Sequence, residues 1–144
     1  MRYVLLVSHG EFAPGLHKAI EMLAGSARED VLSTSLVNGM GADEFAENVR
    51  EILAKINEDD EIILFADIVG GSPLTTAANV IAEAGMIDRT VMVGGMSLPL
   101  VLSTILSKDF AEDIKDHVRN AMIPEARELI QEFTVTVENE EDDI

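Results

Sequence analysis

The sequence contains no cysteine and no tryptophan, and its aromatic residues amount to 4%. Without cysteine, disulfide scaffolds, thiol nucleophiles and cysteine-ligated zinc sites are excluded. Basic residues are also scarce, since 10 Lys and Arg stand against 27 Asp and Glu, for a net charge of -17. A chain this acidic repels phosphate backbones and anionic lipids. We therefore expect no nucleic-acid partner, and a basic protein partner fits better.

Long apolar runs are absent as well. No stretch approaches the roughly 20 residues of a membrane span, and the start of the chain turns polar too early for a signal peptide. We therefore expect a cytoplasmic protein. The 144 residues, of which 47% are hydrophobic and 26% charged, suit a single folded domain. We assign this domain to residues 1–137 and a solvated acidic tail to residues 138–144.

Strand and helix patterns alternate along the domain. The strands are short and apolar, and the helices show apolar residues at spacings of three and four. Strands are predicted at 2–8, 31–37, 61–66 and 90–93, and helices at 14–24, 42–56, 74–84, 98–106 and 109–122. Pro124 is expected to end the last helix. A further β-prone stretch within residues 128–137 is expected to form an antiparallel edge strand.

This alternation predicts an α/β fold, an open and mostly parallel four-stranded sheet with helices on both faces. If the strand order is the flavodoxin-like 2-1-3-4, the first and third strands are neighbours and flank the switch point where such folds bind ligands. His9 follows the first strand and Asp67 follows the third. The pattern therefore predicts a histidine beside a carboxylate at the site where this fold does its chemistry.

His9 and Asp67 suit nucleophilic or general-base chemistry. A carboxylate that accepts a hydrogen bond from Nδ1–H fixes the tautomer and leaves the Nε2 lone pair free to attack. The simpler interpretations, an inert buried histidine and a turn carboxylate, remain open at this stage. The other two histidines, His17 and His117, are predicted to lie on the surface.

Glycine-rich turns complete the candidate site. In the segment Gly70-Gly71-Ser72-Pro73 we expect Ser72 to cap a helix and Pro73 to occupy its first position. Free N–H groups at such a helix start also attract anions, so phosphate contacts are assigned to Gly71, Ser72 and, after the first strand, Gly10. The rim is assigned to Gly95, Met96 and Ser97, although a plain glycine turn into a helix is the better explanation of this segment taken alone.

These motifs together resemble the IIA domain of the mannose-type sugar phosphotransferase system (PTS). The matching pieces are Ser8-His9-Gly10, the segment from Asp67 to Pro73, and the segment from Gly94 to Leu100, and the similarity covers roughly residues 1–133. The pair Ile68-Val69 departs from the pattern, because some relatives carry an aromatic residue there.

The resemblance implies a cytoplasmic phosphotransferase component. It implies that His9 takes phosphate from the phosphocarrier protein HPr and that Asp67 orients it. The phosphate then passes to a IIB domain, which phosphorylates sugar entering through membrane IIC and IID subunits. No cofactor or metal is expected. Because mannose-type domains exchange a C-terminal strand between subunits, a homodimer is expected, although pairing of this strand within one chain would give a monomer.

Four alternatives carry different expectations. A response-regulator receiver domain needs an acidic pair after the first strand to hold Mg²⁺, where this chain has Ser8 and His9. A flavin-binding module needs a phosphate loop rich in hydroxyl groups and glycine after the first strand, whereas the carboxylate of Glu11 would repel the phosphate there. The phosphocarrier subunit of a dihydroxyacetone kinase also carries a histidine after the first strand, and a non-catalytic regulatory binding module would gain no phosphate. The sugar remains open in every case.

Overall fold

Strands and helices alternate through residues 1–137, which are the residues that the structure, a computed structural model, describes. The acidic tail predicted at 138–144 lies outside them. The strands are β1 (Arg2–His9), β2 (Val31–Leu36), β3 (Glu61–Ala66) and β4 (Thr90–Gly94). The helices are α1 (Phe12–Ala24), α2 (Ala42–Leu53), α3 (Ser72–Glu83), α4 (Leu98–Ser107), α5 (Ile114–His117) and α6 (Ile123–Glu128). Within residues 1–137, no helix has the length and apolar character required to cross a bilayer.

The sheet has the order β2-β1-β3-β4, and its strand pairs are all parallel. Val4 of β1 faces Val31 of β2 on one side and Ile63 of β3 on the other. The predicted fold class and strand order are therefore confirmed. Because β1 and β3 occupy the centre and are covered on both faces, their side chains are apolar along nearly the whole strand.

Two cores lie on opposite faces of this sheet, since successive side chains of a strand point to opposite sides. Val4 and Leu6 of β1 pack in one core with α1, α4 and the last helices, whereas Leu5 and Val7 pack in the other with α2 and α3. The helices therefore cover the sheet, and the loops that follow the strands are left to form a site at its carboxyl end.

Pro124 does not end a helix, contrary to the prediction. The chain passes from α5 through one π-helical turn, Val118–Met122, directly into α6, where Pro124 occupies the first turn. Proline lacks an N–H and its ring collides with the carbonyl four residues earlier. A π turn, whose hydrogen bonds span five residues, widens the helix at this point and accommodates the ring.

The C-terminal stretch forms no strand among the described residues. After α6, residues 130–137 are irregular, and Phe133, Val135 and Val137 are 88%, 78% and 99% exposed. Pairing of this stretch with β4 of the same chain is therefore not observed. The expected edge strand, formed with a second copy, stays a prediction.

Candidate functional site

His9 and Asp67 meet at the carboxyl end of the sheet. His9 is the last residue of β1, and Asp67 directly follows the neighbouring strand β3. His9 Nδ1 lies 2.8 Å from Asp67 Oδ2, and the same oxygen accepts the backbone N–H of His9 at 3.0 Å. Asp67 Oδ1 accepts the N–H of Ile68 at 3.0 Å. The carboxylate thus binds the histidine through its backbone and its ring, while the imidazole side chain remains 48% exposed.

The electrostatics of Asp67 favour its charged form. Partial burial raises the pKa of this carboxyl. Hydrogen bonds from the backbone and ring of His9, and from the N–H of Ile68, lower the pKa by more than burial raises it, so it lies below its usual 3.8. An ionised carboxylate can only accept hydrogen bonds, so the Nδ1 that contacts it must carry the proton. We therefore assign the Nδ1–H tautomer to His9, which leaves Nε2 unprotonated and able to act as a nucleophile.

Gly71 brings the start of α3 against the imidazole ring. A Cβ at this position would lie 3.0 Å from His9 Cε1 and 2.8 Å from Cγ1 of Ile68. Cε1 is bonded to both ring nitrogens. The start of α3 therefore lies beside the ring, next to the carbon that joins its two nitrogens. A larger residue at position 71 would crowd the side chains of His9 and Ile68.

The start of α3 differs by one residue from the prediction. Gly71 is the N-cap, Ser72 is the first helical residue and Pro73 the second, so Ser72 does not cap the helix. Over the described residues, no side chain caps α3. Because the first N–H groups of a helix have no partner within it, those of α3 remain available to an anion.

The three residues assigned to the rim form the turn from β4 into α4, as the simpler interpretation expected, and their place at the rim stays a prediction. Ser97 caps α4, and its hydroxyl accepts the N–H of Leu100 at 3.3 Å. The side chain of Met96 is buried in the core, and its N–H donates to the carbonyl of Ala66 at 2.9 Å. Gly95 adopts a φ of 81°, the left-handed region that favours glycine. Met96 therefore ties the turn after β4 to the end of β3, while Gly95 and Ser97 shape the turn and the start of α4.

The role of Gly94 was not identified from the sequence. A Cβ at Gly94 would lie 2.5 Å from Val69 Cγ2 and 2.7 Å from Val69 Cα, so a side chain there would collide with the loop that carries Asp67. The double glycine at the end of β4 was the available signal. Gly10, which is assigned to phosphate, also turns the chain directly after His9: its φ is 56°, and its N–H donates a hydrogen bond to the carbonyl of Leu36 at 2.9 Å.

The remaining histidines are half-buried, not fully on the surface as predicted. His17 Nδ1 lies 2.6 Å from Ser33 Oγ, and His117 Nε2 lies 2.7 Å from Ser107 Oγ. Each of these rings is engaged by a serine of another element, whereas the Nε2 of His9 is left free in the arrangement described above.

An exposed imidazole with one nitrogen held by a carboxylate, next to the free N–H groups of a helix start, can accept and release a phosphoryl group. This places the chain in the class of α/β phosphocarriers. The model of the EIIA-man family, described as PTS system fructose IIA component, matches residues 3–122. The chain belongs to this family.

Curated relatives agree with the family assignment. The fructose-specific EIIA component of the PTS of Bacillus subtilis (strain 168) is 28% identical over 117 residues, which cover 81% of this chain and 77% of that protein. The mannose-specific EIIAB component of Escherichia coli (strain K12) is 26% identical over 106 residues. That match covers 74% of this chain but 32% of the longer relative.

Solved structures show the same fold. A PTS component EIIA from Streptococcus agalactiae superposes with a TM-score of 0.76 at 22% identity, covering 92% of this chain and 97% of that one. The mannose/sorbose-specific IIA subunit from Enterococcus faecalis gives 0.75 at 16% identity, with coverage of 96% and 98%. At these identities the structures establish the fold alone. The family match establishes a phosphocarrier component of a sugar PTS and does not favour the dihydroxyacetone kinase alternative.

Proposed function

We propose that the chain accepts a phosphoryl group on Nε2 of His9 from phospho-HPr and passes it to a IIB domain or subunit. The observation that carries this proposal is the 2.8 Å contact between His9 Nδ1 and Asp67 Oδ2, which leaves Nε2 as the nucleophile. In each transfer a P–N bond to the donor histidine breaks as a bond to the acceptor forms. The proton on Nδ1 stays in place throughout.

Asp67 is the proposed orienting residue for this transfer. As Nε2 bonds to phosphorus, positive charge develops on the imidazole, and the neighbouring carboxylate stabilises it. Since the hydrogen bonds of Asp67 are formed before the phosphate arrives, no reorganisation of the ring is required during the reaction.

The phosphoryl oxygens are assigned to the start of α3 and the turn after β1. Gly71 approaches the ring closely, no side chain caps the start of α3, and the hydroxyl of Ser72 stands at the first helical position. Gly10 leaves open space after His9, because a Cβ there would contact nothing within 4 Å. Hydrogen bonds from N–H and O–H groups would then balance the phosphoryl charge.

The donor and acceptor proteins would dock over an apolar patch beside His9, formed by Phe12, Ile68 and Val69. These side chains are 51%, 52% and 79% exposed. Given the net charge of -17, a partner with an apolar centre and a basic rim complements this face. We place the chain in the cytoplasm, where it would serve the membrane IIC and IID subunits indirectly through IIB.

The phosphotransfer test uses purified chain, phosphoenolpyruvate, enzyme I and HPr, with phosphate incorporation measured by mass spectrometry. We expect one phosphoryl group on the wild type and none on His9→Ala. The matched controls His17→Ala and His117→Ala should be phosphorylated like the wild type. Labelling of His9→Ala would refute the assignment, and an unlabelled wild type would favour a regulatory binding module.

We further propose a homodimer in which the C-terminal stretch of one chain pairs with the outer edge of β4 of the other. In the described part of the chain, that edge pairs with no strand, and proteins rarely leave such an edge bare. A groove of about 340 Å³ runs beside it. The groove is lined by residues of β4, α4, α6 and the stretch after α6, among them Met92, Gly94, Leu100, Ile123, Ala126 and Ile130.

Light scattering tests the dimer at micromolar concentration. We expect the full chain to be dimeric and a truncation ending at Ala126 to be monomeric, because the truncated chain lacks the exposed side chains of Phe133, Val135 and Val137. Burying each of them is worth roughly 1.5–3 kcal/mol. A monomeric full chain, or a truncated chain that stays dimeric, would contradict the proposal.

A further inference from the structure

The hydroxyl of Ser8 joins both sides of the turn that follows His9. Its side chain is completely buried at the end of β1. Ser8 Oγ accepts the backbone N–H of Ala13 at 2.7 Å and donates its own proton to the carbonyl of His9 at 3.0 Å. One hydroxyl therefore satisfies two backbone groups that belong to residues four positions apart.

Helix α1 depends on this hydroxyl at its start. The N-cap of α1 is Glu11, whose side chain makes no cap hydrogen bond with the described residues. The N–H of Ala13, in the first turn of α1, is one of the groups that a helix start leaves without a partner. Since Ser8 supplies that partner from the end of β1, it fixes α1 to the strand that carries His9.

Hydrogen bonds therefore fix the backbone at His9 and at the residue that follows it. Asp67 Oδ2 accepts its N–H, Ser8 binds its carbonyl, and the N–H of Gly10 donates to Leu36. Asp67 sets the rotation of the ring, but the position of the ring depends on the backbone from which it extends. Because Ser8 is fully buried, its hydroxyl does not contact a phosphoryl group on the imidazole.

We infer that Ser8 is a positioning residue for phosphoryl transfer, acting through the backbone of His9. This inference rests on the proposed function of His9. Without the hydroxyl, the carbonyl of His9 and the N–H of Ala13 both lose their partner, and the turn relaxes to recover hydrogen bonds elsewhere. The imidazole then shifts relative to Asp67 and to the start of α3. A displacement of about 1 Å at a reacting atom slows a reaction by up to roughly 100-fold.

The experiment compares Ser8→Ala, Ser8→Thr and Ser8→Cys with the wild type. Ser35→Ala is the matched control, because Ser35 is also buried and faces Ser8 directly on β2 but lies outside the turn. The rate of phosphate transfer from phospho-HPr is measured at a temperature where melting curves show each variant to be folded. The tautomer of His9 is measured separately, by long-range ¹H–¹⁵N spectra of the imidazole without any phosphate donor.

We expect Ser8→Ala to slow transfer roughly 10- to 100-fold and to weaken the preference for Nδ1–H. Ser8→Thr, which keeps the hydroxyl, should restore both readouts. Ser8→Cys should fall between them, because a thiol bonds more weakly, and it provides the rate measurement should Ser8→Ala not fold. Ser35→Ala should transfer at the wild-type rate.

Wild-type transfer and an unchanged tautomer in Ser8→Ala would overturn the inference, as would an equal loss in Ser35→Ala or no recovery in Ser8→Thr. Failure of the proposed function gives a different result. In that case the wild type itself takes no phosphate, whereas the tautomer spectra still report whether Ser8 positions the ring.

Discussion

Charged groups are paired and partly buried at the amino end of the sheet, whereas at the carboxyl end the imidazole of His9 is half exposed and the start of α3 is uncapped. At the amino end, Lys108 is 1% exposed and its Nζ lies 2.8 Å from Asp30. Arg28 binds the same carboxylate at 2.9 Å, and the N-terminal amine binds Asp60 at 2.7 Å. Each of these charged groups is paired with an opposite charge of the same chain.

The carboxyl end uses the same types of group differently. His9 and Asp67 are bonded to each other, but the contact leaves one ring nitrogen unused, and glycines keep the backbone close without filling the space. Charges are paired where no ligand is expected, and unpaired hydrogen-bonding capacity remains where the phosphoryl group would bind. Substitutions at the two ends should therefore separate folding from transfer.

Removing the cation at the amino end should have the largest effect. Lys108→Ala leaves the carboxylate of Asp30 with Arg28 alone and should lower the free energy of unfolding by about 3 kcal/mol, the lower end of the cost of breaking a buried pair. Transfer by the folded fraction should be unchanged, since the site lies at the other end. Urea denaturation provides the measurement, and the exposed Lys18→Ala is the control. Equal stability of the two variants would mean that the buried pair contributes nothing.

Asp67→Asn should slow phosphoryl transfer and leave stability unchanged, the opposite of Lys108→Ala. The amide can accept the Nδ1–H bond, but it carries no charge to stabilise the imidazolium and can rotate to favour the other tautomer. We expect transfer from phospho-HPr to slow on the order of 100-fold, while the melting temperature stays close to that of the wild type. An unchanged rate would reduce Asp67 to a turn residue, and a collapse of thermal stability would make its role structural.

Gly94→Ala should affect both properties, because its Cβ would collide with the backbone of Val69. We expect a loss of about 1–3 kcal/mol from overpacking and slower transfer, since the displaced loop carries Asp67. Gly15→Ala is the control within helix α1, where a Cβ meets nothing within 4 Å. It should stabilise the chain by about 0.5–1 kcal/mol. The close approach to Val69 would be refuted if both alanine variants gained stability.

Acid should weaken the amino end through Asp30. Burial raises the pKa of this carboxyl, but hydrogen bonds and charges from Arg28 and Lys108 lower it more, so the pKa lies below 3.8. Its stabilisation is therefore complete above pH 3.8 and is lost as the pH falls through the folded-state value. Urea denaturation of Asp30→Asn should show a shallower loss of stability in this range. A pH dependence identical to that of the wild type would contradict the assignment.

The sequence was sufficient to predict the sheet and the pairing of His9 with Asp67. The sheet follows from strand periodicity. The pairing follows once the flavodoxin-like strand order is assumed, because the carboxyl ends of adjacent parallel strands meet at one edge. The π turn before Pro124 was not predictable, because proline alone indicates a helix end. The contact of Gly94 with Val69 and the pairing of the buried Lys108 with Asp30 join residues far apart in the chain, and no local pattern encodes such distances.

The central claim is that His9 Nε2 carries the phosphoryl group while Nδ1 stays bound to Asp67. The direct measurement is a long-range ¹H–¹⁵N spectrum, with ³¹P coupling, of histidine-labelled chain after phosphorylation by phospho-HPr. The account predicts a single phosphohistidine, with phosphorus bonded to Nε2 of His9 and a proton retained on Nδ1. Phosphorus on Nδ1 of His9, or on either ring nitrogen of His17 or His117, would contradict it.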